Sequence, residues 1–240
     1  MNGFIIVASL NKAFYEAAHN LIDSLLDHLP DANIALFAHD EWTKGDSRCD
    51  DLYLVHDCPK HVRSKLWALP KSPFDTTVYL DADTLVCHDD ITDMFDLKGN
   101  DMMFTNIRSY AGKIDKFIGG QMVLHGGVFT YDTKKCKPFL EDWFDLYQKQ
   151  IKDEWWPDED IKPKHQLKGW DQFTLWWLSE YKYKDDIKIG IYDDDARYNY
   201  VYVYKDNECK GEIVVWHYTV PRSQIDKYRA ESFKPTTQII

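Results

Sequence analysis

The chain of 240 residues is short of positive charge, with 29 Lys and Arg against 40 Asp and Glu and a formal net charge of −11. That balance argues against nucleic acid or an anionic membrane surface as the main partner. An anionic substrate would need a local cation, either a metal ion or a few placed Lys and Arg. Paired cysteines are also lacking. Cys49, Cys58, Cys87, Cys136 and Cys209 are odd in number, none forms a C-x-x-C, and no N-x-S/T sequon occurs. A reduced compartment, and hence a cytoplasmic location, is the expectation. The first apolar run, Phe4 to Leu10, carries no basic lead and falls far short of the roughly 20 residues of a membrane span. It reads instead as the first strand of the fold. Repeats, low-complexity blocks and a linker of the usual composition are absent, so one domain over 1–240 is expected.

What is present is material for a core: 44% hydrophobic residues and 29% charged, as in an ordinary globular chain. Gly3–Leu10 reads as a buried strand, Asn11 as a helix cap, and Ala13–Leu29 as an amphipathic helix with Phe14, Ala17, Ala18, Leu21, Ile22, Leu25 and Leu26 on one face. Strands follow at Asn33–Ala38, Leu52–Val55 and Thr76–Leu80, with a short helix at Lys60–Leu69 closed by Pro70. This alternation predicts an α/β fold with a mostly parallel sheet covered by helices. The second half is more mixed. Met102–Thr105 and Gln121–Thr130 read as strands, Thr133–Ile151 as a helix, Lys152–Lys168 as a surface loop and Asp171–Tyr181 as a helix. Further strands are expected near Ile187–Ile191, Tyr198–Tyr204 and Glu212–His217, and the tail from about 220 shows no periodicity.

The fourth strand ends in Asp81-Ala82-Asp83. In an extended chain positions two apart face the same side. Two carboxylates about 4 Å apart repel by roughly 4 kcal/mol at an effective dielectric of ~20, enough to raise one pKa by about three units. A divalent ion such as Mn²⁺ or Mg²⁺ between them removes the conflict, takes oxygen ligands readily, and can bridge a diphosphate. A bare D-x-D is more often a solvated pair capping a turn, so the longer context matters.

That context is Ser64-Lys65-Leu66-Trp67-Ala68-Leu69, then Val78 to Val86, then Asp90-Ile91-Thr92-Asp93-Met94-Phe95. His125-Gly126-Gly127-Val128-Phe129, Trp170-Asp171-Gln172 and Val215-Trp216-His217-Tyr218 follow in order. Together these blocks resemble glycosyltransferase family 8, over about Phe4 to Tyr218. The resemblance implies a GT-A fold, with a nucleotide-binding half over 1–100, an acceptor and catalytic half over 101–219 and a tail over 220–240. It also implies a UDP-sugar donor, Mn²⁺ (or Mg²⁺) and hexose transfer to an acceptor hydroxyl with retention. The acceptor would be a glycan, a lipid-linked sugar or a protein. Asp81, Asp83 and His217 would be the metal ligands, and Asp171 and Gln172 the catalytic pair at the reacting carbon. Ser9, Asn11, Tyr15, Lys65, Asp81, Ala82, Asp83, Gly126, Gly127 and Arg222 would contact the donor, with Tyr15 (or Phe14, one residue away) offering a ring to the base.

Each of these has a plainer alternative. His217 could be a hydrogen-bonded core histidine, Lys65 a solvated helix residue, Asp171 a helix N-cap, and Gly126-Gly127 a bulge rather than a place where a missing Cβ admits the sugar. The chain departs from the family in having His125-Gly126-Gly127 where Asn-Ser-Gly is usual. It also lacks the Gly and Lys that normally follow the histidine, leaving Arg222 or Lys227 to supply that charge. Two other functions fit parts of the pattern. One is a phosphohydrolase of the haloacid-dehalogenase type, for which Leu80–Leu85 matches the first motif and Lys188 with Asp193-Asp194-Asp195 could imitate later ones. The other is a GT-A-like domain that binds sugar nucleotides or glycans without catalysis. Aromatics at 15%, with nine Trp, are mostly core material, although flat rings also suit sugar faces. Trp155-Trp156 and Trp176-Trp177 are the pairs that could line an acceptor.

Overall fold

The computed structural model describes residues 1–107, 124–157, 169–201 and 208–218. A seven-stranded sheet forms the centre, in the order β3-β2-β1-β4-β7-β6-β8. The strands are β1 (Asn2–Ala8), β2 (Ile34–Ala38), β3 (Tyr53–Val55), β4 (Thr76–Leu80), β6 (Met102–Asn106), β7 (Leu124–Asp132) and β8 (Ile189–Ile191). Strands β1 to β4 are mutually parallel, β7 runs antiparallel between β4 and β6, and β8 is parallel to β6. A second sheet, β5-β10-β9, joins β5 (Thr84–Val86), β10 (Val215–His217) and β9 (Tyr200–Val201).

The unbroken apolar run of β1 is explained by burial on both faces. Phe4, Ile6 and Ala8 pack with Ala18, Leu21, Ile22 and Leu25 of helix α1 (Lys12–His28). Ile5 and Val7 face the opposite layer, with Phe139, Leu140 and Trp143 of helix α4 (Thr133–Ile151). Asn11 caps α1 as expected, its side chain accepting from the amides of Ala13 (3.0 Å) and Phe14 (3.3 Å). Asp132 caps α4 through the Lys135 amide at 2.7 Å.

Several expected boundaries move. The short helices are α2 (Asp40–Thr43) and α3 (Lys65–Ala68). Pro70 does not close the helix before it but sits near the start of a 3₁₀ turn, Leu69–Lys71, where its missing N–H costs nothing. Helix α5 (Asp171–Trp177) passes into a π-helical turn at Leu178–Lys182. β5 is not recognisable in the sequence because three residues carry too little alternation to be read as a strand. Of the expected 121–130 strand, residues 121–123 lie outside the described residues, as do 158–168 of the loop, 202–204 of the 198–204 strand, and the tail beyond Tyr218. Among the described residues no helix is long and apolar enough to cross a membrane, and all five cysteines are free.

Candidate active site

The apolar run of β4 ends at Leu80, and Asp81-Ala82-Asp83 turns over the carboxyl edge of the parallel strands. The two aspartates therefore sit in a turn and not on one face of an extended strand. Two pairings hold the turn in place. The Asp81 amide donates to the Gly127 carbonyl (2.8 Å), continuing the β4–β7 ladder, and the Tyr218 amide donates to the Asp83 carbonyl (3.2 Å). The chain then enters β5, whose Thr84 lies opposite His217 in the β5–β10 ladder. One side-chain ligand atom each from Asp81, Asp83 and His217 fall within 4.8 Å of one another.

His217 is aimed by residues remote in sequence. Its Nδ1 lies 3.0 Å from Asn199 Oδ1, and Asn199 Nδ2 donates to Thr105 Oγ1 at 2.9 Å. With Nδ1–H donating to Asn199, the Nε2 lone pair points at Asp83 Oδ1, 3.3 Å away. This is how ligating imidazoles are commonly oriented. Burial pushes His217 down, but the Asp83 carboxylate outweighs it and the net shift is upward. Burial acts on Asp83 in the opposite sense and is outweighed by His217 and Lys65, so its carboxyl lies below the usual range. A divalent cation can take the place of the proton this pair would otherwise share. Two carboxylates and one neutral imidazole are donors that suit Mn²⁺ or Mg²⁺.

Beneath this cluster lies a buried charge network. Lys65, only 5% exposed, is no solvated helix residue. Its Nζ donates to the Gly126 carbonyl (2.5 Å) and lies 3.2 Å from Asp171 Oδ2 and 3.6 Å from Asp81 Oδ1. The Tyr79 hydroxyl donates to Asp81 Oδ1 at 2.5 Å. Asp171 is fully buried. It is the first helical residue of α5 and not the cap, which is Trp170, and its carboxylate turns inward, with Arg63 Nε 3.1 Å from Oδ1. Burial pushes the Asp171 carboxyl up, yet Arg63 and Lys65 together hold it below its ordinary value. Gln172, the next residue, is half-buried.

Gly127 turns out to serve the protein's own carboxylate. A Cβ there would lie 2.5 Å from Asp81 Oδ2 and 2.6 Å from His125 Cε1. The glycine thus admits Asp81 and His125, where the sequence suggested room for a sugar. At Gly126 a Cβ would meet Trp143 at 3.3 Å and Asp171 at 3.6 Å. The bulge alternative also holds, since the β6–β7 register shifts between Phe104 and Thr105, opposite this segment. His125 Nδ1 accepts from the Gly127 amide (3.0 Å). Burial, reinforced by His217 and Lys65, pushes His125 far below its usual value, so its ring is neutral. Gly127→Ala is expected to displace the Asp81 carboxylate and weaken Mn²⁺ affinity by at least about tenfold, the scale of outer-shell changes at metal sites. Calorimetric titration with Mn²⁺ measures it.

The expected donor contacts divide. Asn11 and Ala82 lie at the carboxyl edge, Asn11 engaged as a cap. Ser9 is buried, its hydroxyl donating to the Pro59 carbonyl (2.9 Å) and lying 2.5 Å from the Ser64 hydroxyl. Tyr15 must be corrected. It is 1% exposed, and its hydroxyl meets Asp46 Oδ2 (2.9 Å) and Cys49 Sγ (3.2 Å), so the ring has no face to offer a base. Phe14, half-buried and packed with Tyr218 around Ala17, is the aromatic of the pair nearer the edge. Arg222 and Lys227 lie outside the described residues. The acidic run invoked for a phosphohydrolase is engaged elsewhere. Asp193 pairs with Lys98 (2.7 Å), Asp194 accepts from the Lys210 amide (2.9 Å), and Asp195 accepts from the Asn106 amide (2.6 Å). Trp155 and Trp156 pack around Phe173 in an aromatic cluster with Trp170, Trp176 and Trp177. Arg63 and Asn199 escape sequence reasoning, since neither stands in a motif and each acts through a partner far along the chain. Tyr79 lies within the D-x-D block, but its apolar strand setting hides that its hydroxyl reaches Asp81.

No protein-family model and no curated protein matches the sequence. The structure, in contrast, has the GT-A fold of glycosyltransferases. The galactosyltransferase LgtC, solved with donor and acceptor sugar analogues, superposes with a TM-score of 0.58 at 16% identity over 99% of this chain and 98% of its own. The glycosyltransferase GlyE of Streptococcus pneumoniae TIGR4 gives 0.61 at 17% identity, over 98% of this chain and 65% of GlyE. Mouse xyloside xylosyltransferase 1 gives 0.59 at 11% identity, over 92% of this chain and all of that one (100%).

Proposed function

We propose that this chain is a single-domain, metal-dependent glycosyltransferase that moves a hexose from a UDP-sugar to an acceptor hydroxyl with retention. The observation that carries it is the convergence of Asp81, Asp83 and His217 within 4.8 Å at the carboxyl edge of a GT-A sheet. These three would hold Mn²⁺ or Mg²⁺, which when bound supplies Lewis-acid neutralisation of a leaving diphosphate. Lys65, anchored on Gly126 and Asp171, adds fixed positive charge beside Asp81. Arg222 would add to it. Phe14 takes over from Tyr15 as the ring beside the uracil, and Asn11, Ser9 and Ala82 line the nucleotide side. Gln172 orients the sugar, and Asp171, fully buried, acts on it through Lys65 and Arg63. In LgtC a glutamine-to-glutamate change is an active-site mutation, which supports a role for Gln172. The acceptor oxygen attacks the anomeric carbon as the bond to the diphosphate breaks, and its proton passes to a departing phosphate oxygen. The competing course, in which a protein carboxylate first takes the sugar covalently, has Asp171 as its nearest candidate. Asp171 is fully buried and paired with two cations, which counts against it. The acceptor is a glycan, a lipid-linked sugar or a protein hydroxyl, and the reaction is cytoplasmic.

UDP-glucose and UDP-galactose, each incubated with the protein with and without Mn²⁺, test the reading. Slow UDP release that stops on chelation is expected. Release of inorganic phosphate from simple phosphate esters would instead indicate a phosphohydrolase, and donor binding without turnover a non-catalytic domain.

A further inference from the structure

We propose that His19, Asp46 and Cys49, with the Tyr15 hydroxyl beside them, form a second cation site, one for a soft divalent ion such as Zn²⁺. Tyr15 and His19 stand four residues apart on α1 and so share a face. Asp46 caps the 3₁₀ turn Ser47–Cys49, which brings Asp46 and Cys49 to that face. One ligand atom from each of His19, Asp46 and Cys49 lies within 4.8 Å of the others. His19 Nε2 is 3.9 Å from Cys49 Sγ, and the Tyr15 hydroxyl oxygen is 3.2 Å from that sulfur and 2.9 Å from Asp46 Oδ2. Ordinary zinc bond lengths in a tetrahedron require ligand–ligand edges of about 3.4–3.6 Å. The observed contacts, 2.9 to 3.9 Å, bracket that range.

The surroundings suit such an ion. His19, Cys49 and Tyr15 are buried, and His19 presents Nε2, not its unpartnered Nδ1, to the Cys49 sulfur. Burial, with Arg48 adding to it, lowers His19, so the imidazole is neutral and able to ligate. Arg48 clasps Asp46, Nη2 to Oδ2 at 2.6 Å and Nε to Oδ1 and Oδ2 at 3.0 and 3.2 Å, so an ion would share that carboxylate with the guanidinium, while Nη1 meets Glu16 Oε2 at 2.9 Å. The guanidinium and the Glu16 carboxylate cancel, and the Asp46 carboxylate with a Cys49 thiolate matches the two charges of the ion. Burial raises the Cys49 thiol, so uptake must release its proton to solvent and weakens as pH falls. The sulfur and nitrogen donors separate this site from the oxygen-rich Asp81–Asp83–His217 cluster. An ion here would pin α1, which begins at the nucleotide edge, to the turn after β2.

Co²⁺ titrated into the full chain provides the test, because a thiolate bound to cobalt gives a charge-transfer band that carboxylate sites do not. The band is expected in the wild type and in Asp83→Asn, and absent in Cys49→Ser with circular dichroism unchanged. No band in the wild type, or a band that survives Cys49→Ser, overturns the proposal. Should Cys49→Ser fail to fold, His19→Gln takes its place: the band is expected to require at least tenfold more Co²⁺, and an unchanged titration overturns the proposal. Neither measurement depends on transferase activity.

Discussion

Asp81→Ala is expected to lower Mn²⁺-dependent UDP release by at least about 100-fold, since losing a ligand forfeits several kcal/mol of charge stabilisation and each 1.36 kcal/mol is tenfold in rate. The fold is expected to survive. The Asp81 side chain is partly solvent-exposed, and its removal relieves repulsion with Asp83. Lys65 keeps Asp171 and the Gly126 carbonyl as partners. Only the Tyr79 hydroxyl loses its acceptor. Turnover assays at saturating UDP-galactose, with thermal melts as the fold control, measure both effects. Turnover equal to the wild type would defeat the metal-site assignment.

The largest stability effect belongs to Asp171→Asn, for which we expect a loss of about 3 kcal/mol, as when one partner of a buried ion pair is removed. The carboxylate is fully buried against Arg63 Nε (3.1 Å) and Lys65 Nζ (3.2 Å), and the amide leaves Arg63 without its counter-charge and Lys65 with Asp81 alone, 3.6 Å away. Urea unfolding at neutral pH measures the loss. The pH signature has a definite sign. The folded-state pKa of Asp171 is depressed, because Arg63 and Lys65 outweigh the opposing effect of burial. Its contribution is therefore fully present above the unfolded value of about 3.9 and is lost as pH falls through the lower folded value. The gap between wild type and variant is expected to narrow as pH falls from the unfolded value towards the lower folded one. A gap constant down to strongly acid pH would mean that the ion pairs contribute nothing.

Much of the parallel half of the sheet is legible in the residues. The runs of β1, β2 and β4 are apolar because both faces are covered, Asn11 announces α1, and the helical pattern of Thr133–Ile151 has the bounds of α4. The D-x-D turn is legible because its two ligands are neighbours in sequence. Tyr15 misleads because helical spacing places it on a face without saying whether that face meets a ligand or the 46–49 turn. Gly127 misleads similarly. A missing Cβ signals a close approach, but not that the approaching atom is Asp81 Oδ2.

Strand and helix periodicity, capping and the carboxylate pair depend on residues a few positions apart, and those the amino-acid order settles. That His217 meets Asp83 depends on the β5–β10 register, its aim on Asn199, and the charge balance under the site on Arg63 and Lys65 reaching Asp171. Each joins groups distant along the chain, and such contacts are chosen by how the two sheets and α5 pack, where a one-residue change of register turns a ligand to the opposite face.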